Sequence, residues 1–185
     1  HFDASARTAS FPSGGSWFIR GPPMSRAAAI LLLLATAAVP EYLALGFSHI
    51  VPYGADHILF ILGLFFLTRE FGPLLAQMTL FTLAHSLTLG LSLYGVVSLP
   101  TRFVETAIAL SIAFIAIENL FCDRLHRWRP VVVFGFGLIH GLGSAHPCAE
   151  KTTPPQDFLP ALFSFNLGIE LGQIAVVAAA FAAVA

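Results

Sequence analysis

The chain is built from long apolar stretches separated by short polar ones. After a first stretch from Ala27 to about His49, five more follow, at about 55–69, 72–96, 101–121, 129–146 and 158–184. An α-helix rises about 1.5 Å per residue, so about 20 residues cross a hydrocarbon core of about 30 Å. The third, fourth and sixth stretches reach that length. The second is short and its approach is broken by Pro52-Tyr53-Gly54, while the fifth is short and rich in Gly. Such segments are tolerated at membrane depth where protein covers them or they line a cavity. The pattern predicts an all-α fold: a polytopic helical membrane protein with about six transmembrane or partly spanning segments and a Pro/Gly-broken entry helix.

Residues 1–23 differ from the rest. They are rich in Ser, Gly, Pro and Arg and lack a helical period, which reads as a flexible tail or linker. Residues 24–185 then form a single helical membrane domain. Within it, Arg26, the apolar run Ala27–Leu34 and the small residues Ala35–Ala38 fit two readings. One is a signal-peptide-like segment over 24–39; the other is the first half of helix 1. Arg69 and the group Arg124, Arg127 and Arg129 mark cytoplasmic loops by the positive-inside rule. The loops near 97–100 and 147–157 then lie outside, Arg26 lies inside, and all six segments alternate to a cytoplasmic C-terminus. No internal repeat stands out.

Composition makes the solvent lipid. Hydrophobic residues are 57% of the chain and charged ones 10%, against about 25% charged in soluble domains. One core of this size cannot hide so much apolar surface. That excludes a soluble enzyme, a nucleic-acid binder and a disordered chain. The net charge of −1 offers no basic field to a polyanion. Two cysteines, Cys122 and Cys148, make no disulfide framework.

Polar groups that interrupt the apolar stretches carry the chemistry, because an ionisable group inside a membrane is costly and faces a cavity or a partner. His49, Asp56 and His57 flank the Pro52/Gly54 break, which lets two imidazoles approach across eight residues. Imidazole suits nickel, cobalt, copper, zinc and iron, and a neighbouring carboxylate orients the ring or ligates directly. Asp56 also suits an N-cap of the helix that begins near His57. His85 lies mid-segment, and His140 lies on a helix whose Gly137 and Gly141 permit close packing. Asn166, Glu170 and Gln173 share one helix face at i, i+4 and i+7. Glu105 falls near the outer end of its segment, and Glu118-Asn119 near the cytoplasmic end. Each also has a plainer reading, as a helix cap, a satisfied bundle histidine or interhelical hydrogen bonding. Together they read as a polar path entered from outside.

In order, these residues form His49-x6-Asp56-His57, Phe81-Thr82-Leu83-Ala84-His85-Ser86, Val104-Glu105-x5-Ser111-x6-Glu118-Asn119, Phe136-Gly137-Leu138-Ile139-His140-Gly141-Leu142-Gly143 and Phe165-Asn166-Leu167-Gly168-Ile169-Glu170-Leu171-Gly172-Gln173. Over about 43–180 the chain closely resembles the HupE/UreJ family of membrane proteins. The resemblance implies a polytopic permease-like protein tied to nickel or cobalt uptake for hydrogenase, urease or cobalamin pathways, in the bacterial inner (plasma) membrane. It also implies a metal motif at His49, Asp56 and His57. Two features depart from the family. The His-Gly-Leu-Gly motif usually continues with Phe-Ala, whereas Ser144-Ala145-His146-Pro147-Cys148 follows here, and residues 1–23 have no counterpart. His146 and Cys148 form a candidate outer capture pair.

These readings lead to one principal expectation: transport or facilitated entry of a divalent transition metal ion, nickel or cobalt first, with copper, iron, zinc and manganese compatible. His49, His57 and His140 bind the ion, Asp56 ligates or orients, and His85 and Glu170 carry it past the midplane. Glu105, Glu118, Asn119, Asn166 and Gln173 support the path. Expected partners are the bilayer and the ion, with no nucleic acid. The alternative is a non-transporting subunit, or an assembly or metal-delivery factor, of a larger membrane complex. Haem held by His85 and His140 is a third reading. No Ser or Cys is paired with a base in a hydrolase motif.

Overall fold

The computed structural model describes residues 25, 39–122, 125–144 and 158–185. Six helices are present among them: α1 (Val39–Ile50), α2 (Ala55–Leu67), α3 (Phe71–Leu93), α4 (Thr101–Phe121), α5 (Arg129–Gly143) and α6 (Phe158–Val184). The described residues include no strand. Helices α3, α4 and α6, with 23, 21 and 27 residues, are long and apolar enough to cross a membrane. Helix α5 has only 15 residues. The tail, the segment from Ala27 to Ala38, His146 and Cys148 lie outside the described residues.

Pro52 and Gly54 shape the break between α1 and α2, where the chain bends by 68°. A side chain at position 54 would run into the His49 carbonyl and would lie 3.1 Å from Ile50 Cα, so only glycine fits. The last carbonyls of α1 are not abandoned. Val51 N–H donates to Phe47 O at 2.9 Å, Tyr53 N–H to Ser48 O at 3.3 Å and Gly54 N–H to Ile50 O at 3.1 Å. A break whose backbone groups are satisfied can sit at membrane depth.

Glycine contacts set the direction of each helix. Gly46 of α1 sits on Phe165 and Ile169, Gly168 of α6 on Leu43 and Phe47, and Gly172 on Ile50. Farther along, the rings of Phe65 in α2 and Phe181 in α6 lie 4.9 Å apart. Residue numbers rise together along both contact lines, so α1 and α2 run the same way beside α6. Residues 39–67 therefore make one bent pass, not two opposed ones. This corrects the expected alternation of the first two stretches. The break turns the chain by far less than a hairpin would, and the glycine crossing locks α1 against α6.

Helices α3 and α5 are parallel neighbours. Gly137 lies under Phe81 and Ala84, Gly141 lies under His85 and Thr88, and Thr88 donates to Leu138 O at 2.8 Å. Helix α4 runs antiparallel to α5, with Gly143 beside Ile108 at one end and Arg129 beside Glu118 at the other. Helix α6 runs antiparallel to α3, Phe158 meeting Tyr94 at 4.5 Å. The turns carrying Arg69 and Arg127 thus share one end of the bundle. The 94–100 turn and the start of α6 share the other, as the alternation of the later stretches requires.

Phe60, Ile61, Leu64, Leu74, Met78, Phe81, Ile115, Val133 and Ile169 fill the core. Phe103, Leu110, Leu120, Val131, Leu159 and Phe163 point outward and are more than 60% exposed. Large apolar side chains on the outside of several helices belong against lipid, which costs them nothing.

Candidate metal centre

Four helices deliver the titratable side chains to one place. His49 comes from the last turn of α1, Asp56 and His57 from the first turn of α2, His85 from the middle of α3 and His140 from the last turn of α5. The 68° bend is what allows His49 and His57 to face each other, with ring centroids 4.8 Å apart. His57 is central: its ring lies 5.7 Å from that of His85 and 5.0 Å from that of His140. His57, His85 and His140 are at most 2% exposed. Two overlapping groups emerge, His49–His57–His85 and Asp56–His57–His140, each with donor atoms within 4.8 Å of one another. His57 belongs to both.

Hydroxyls hold the rim of this cluster. Ser144 Oγ, one residue beyond α5, lies 2.8 Å from His85 Nε2 and 3.0 Å from His49 Nε2. Ser111 Oγ of α4 lies 3.0 Å from His140 Nε2. Asp56 Oδ1 is 3.2 Å from His57 Nδ1, and Asp56 Oδ2 is 3.9 Å from His140 Nδ1. Even so, both ring nitrogens of His57, Nδ1 of His85 and Nδ1 of His140 are buried without a hydrogen-bond partner. The Asp56–His57 approach is close but not aligned as a hydrogen bond.

Each buried nitrogen left unpaired costs about 1–3 kcal/mol. A cation between the rings would take up those lone pairs. Imidazole nitrogens sit about 2.0–2.1 Å from a zinc-type ion, which spaces tetrahedral donors about 3.4 Å apart. The observed spread of up to 4.8 Å closes to that with shifts of about 1–1.5 Å, within reach of side-chain rotation. Three imidazoles with one carboxylate nearby form a donor set suited to late first-row divalent ions. The residues fit a metal.

Two cavities reach the cluster. One, of about 170 Å³, is lined by His49, Asp56, His57, His140 and Ser144 and runs to Leu99, Thr101 and Glu105 at the end of the bundle that holds the 94–100 turn. The other, of about 310 Å³, is lined by Ser48, His49, Tyr53, Asp56 and Phe165. Asp56 is 37% exposed and stands between them. In the opposite direction the cluster meets aromatic rings. The rings of Phe60 and Phe81 lie 4.9 Å apart with their planes tilted by 31°, and they lie 5.4 and 5.0 Å from that of His140.

The other polar residues expected along the path lie outside both donor groups. Glu105 is exposed at the mouth of the first cavity. Glu170 belongs to neither donor group: it accepts a 2.6 Å hydrogen bond from Thr79 of α3. Gln173 accepts from Thr82 at 3.3 Å, and Asn166 donates to Leu162 O at 2.7 Å. This stripe faces α3 along a groove beside Thr82 and Ser86, on the side of α3 away from His140. Glu118 Oε2 pairs with Arg129 Nη1 at 2.8 Å, Arg129 Nε donates to Gln77 Oε1 at 2.8 Å, and Asn119 donates to Gly63 O at 2.8 Å. These contacts tie α2, α3, α4 and α5 together at the arginine-bearing end.

Fold and site together define an integral, polytopic helical membrane protein with a buried histidine cluster. A family model described as HupE / UreJ protein matches residues 27–185, nearly the whole chain. The chain belongs to the HupE/UreJ family, a transporter-type family associated with nickel and cobalt transport. No curated protein and no solved structure matches it.

Proposed function

We propose that the protein admits a divalent transition metal ion, nickel or cobalt first, through the His49–Asp56–His57–His85–His140 cluster. The observation that carries this reading is the sharing of His57 by two donor groups within one buried cluster. An ion reaching Asp56 from the 170 Å³ cavity meets Asp56, His57 and His140. It then exchanges Asp56 and His140 for His49 and His85 without losing His57. Stepwise ligand exchange avoids a bare ion at membrane depth, where an isolated charge is very costly.

Loop charge supports an orientation. Arg69 and Arg127 favour a cytoplasmic reading of one end, so on this reading the Glu105 cavity opens outward and the C-terminus lies inside. In this orientation the Phe60 and Phe81 rings and the Glu118–Arg129 pair lie on the inner side of the cluster, which supports access to it from outside.

The test is uptake of nickel or cobalt into liposomes carrying purified protein, with His57→Ala beside it. Uptake by the wild type that is lost in the variant supports the reading. Uptake that persists in a folded His57→Ala protein, or is absent from the wild type for every divalent ion offered, sinks it.

A further inference from the structure

We infer that Ser111 is a positioning residue: its hydroxyl fixes His140 as the Nε2–H tautomer and so presents Nδ1 as the metal donor. The inference rests on the metal reading above for its second half only.

The argument is a count of hydrogens. A serine hydroxyl has one hydrogen and two lone pairs. Ser111 Oγ lies 2.7 Å from Ile108 O. A carbonyl oxygen only accepts, so that contact uses the single hydrogen of Ser111. The same Oγ lies 3.0 Å from His140 Nε2. With its hydrogen spent, Ser111 accepts there, and Nε2 must carry the proton. A neutral imidazole has one N–H, which leaves Nδ1 of His140 with a free lone pair. That atom is buried and has no hydrogen-bond partner. It lies 3.9 Å from Asp56 Oδ2, within the group formed by Asp56, His57 and His140.

Helix α4 contributes no metal donor to either group. Its hydrogen bond to the cluster comes from the Ser111 hydroxyl, which is 1% exposed. Partners of this kind set which ring nitrogen is free and hold the ring's orientation. Their loss lowers metal affinity by about 10–100-fold.

The experiment reads the tautomer directly. Full-length protein with ¹⁵N-labelled histidine is purified in detergent, metal-free, at neutral pH. His140 is assigned by the signals lost in His140→Phe. The expected spectrum has a protonated-type Nε2 and an unprotonated-type Nδ1 for His140. Ser111→Ala should mix the tautomers and weaken nickel binding by about 10–100-fold, and Ser111→Thr, which keeps the hydroxyl, should restore both. A wild-type His140 protonated on Nδ1 overturns the inference. So does an unchanged tautomer in folded Ser111→Ala. A wild type with the Nε2–H signature that binds no nickel or cobalt supports the tautomer assignment and overturns the metal reading, so the two failures are distinguishable.

Discussion

Asp56 and His57 are neighbours in sequence, yet their side chains serve the site from two sides: Asp56 Oδ1 stands 3.2 Å from His57 Nδ1 while the imidazole reaches on toward His85 and His140. His57 is 2% exposed and Asp56 37%, so the pair spans the boundary between cavity and core.

Removing His57 should therefore do more damage than removing Asp56. His57→Ala deletes a donor from both groups, and metal affinity should fall by more than the about 10–100-fold typical of a supporting partner. Asp56→Asn keeps an oxygen at the cavity and should fall nearer that range. Isothermal titration with nickel on both variants checks the order; equal losses would count against the shared role of His57.

Glu118 was expected on the transport path, and its place in the structure predicts something different. It pairs with Arg129, which is 1% exposed. Glu118→Ala leaves that guanidinium buried and uncompensated, at a cost of about 3–5 kcal/mol. Replacing both partners by apolar residues should cost much less. Thermal unfolding in detergent distinguishes the two variants, and nickel affinity of whatever remains folded should be unchanged.

Gly141 and Gly135 lie six residues apart on α5 with opposite surroundings. A methyl at 141 collides with His85 O and Thr88 Oγ1, whereas one at 135 meets nothing within 4 Å. Gly141→Ala should destabilise by about 1–3 kcal/mol through overpacking and disturb the His85 backbone. Gly135→Ala should be neutral or slightly stabilising, since alanine is the better helix former. Similar melting temperatures for the two would contradict the α3–α5 contact.

Glu170→Gln should leave nickel affinity untouched, because Glu170 sits against Thr79 and outside both donor groups. A tenfold loss would place the carboxylate on the ion's route after all.

Much of this was legible from residues alone. An imidazole or carboxylate within an apolar stretch is expensive, so His49, Asp56, His57, His85 and His140 announce themselves. The Pro52/Gly54 break and the Gly137/Gly141 pair are equally plain. What the sequence hides is pairing at a distance. Arg129 reads as one more loop cation until α5 begins on it and Glu118 is found across the turn. The Asn166–Glu170–Gln173 stripe shares one face as its spacing requires, but spacing cannot say that the face meets Thr79 and Thr82. Ser111 stands in one of the ordered motifs and Ser144 begins the departure after Gly143, but neither position says which histidine its hydroxyl meets. The direction of α1 depends on Gly46 and Gly168 meeting, a contact between residues 122 apart in the chain.

The membership of His57 in two donor groups has a kinetic meaning. One imidazole cannot complete both shells at once, so on the proposed reading the two positions are mutually exclusive stations for a single ion. No second ion can push the first along, as happens in multi-ion channel filters. Flux should then saturate hyperbolically with ion concentration, and its ceiling should be set by how fast Asp56 and His140 give way to His49 and His85. On that reading the cluster is a turnstile that turns no faster than its own ligands exchange.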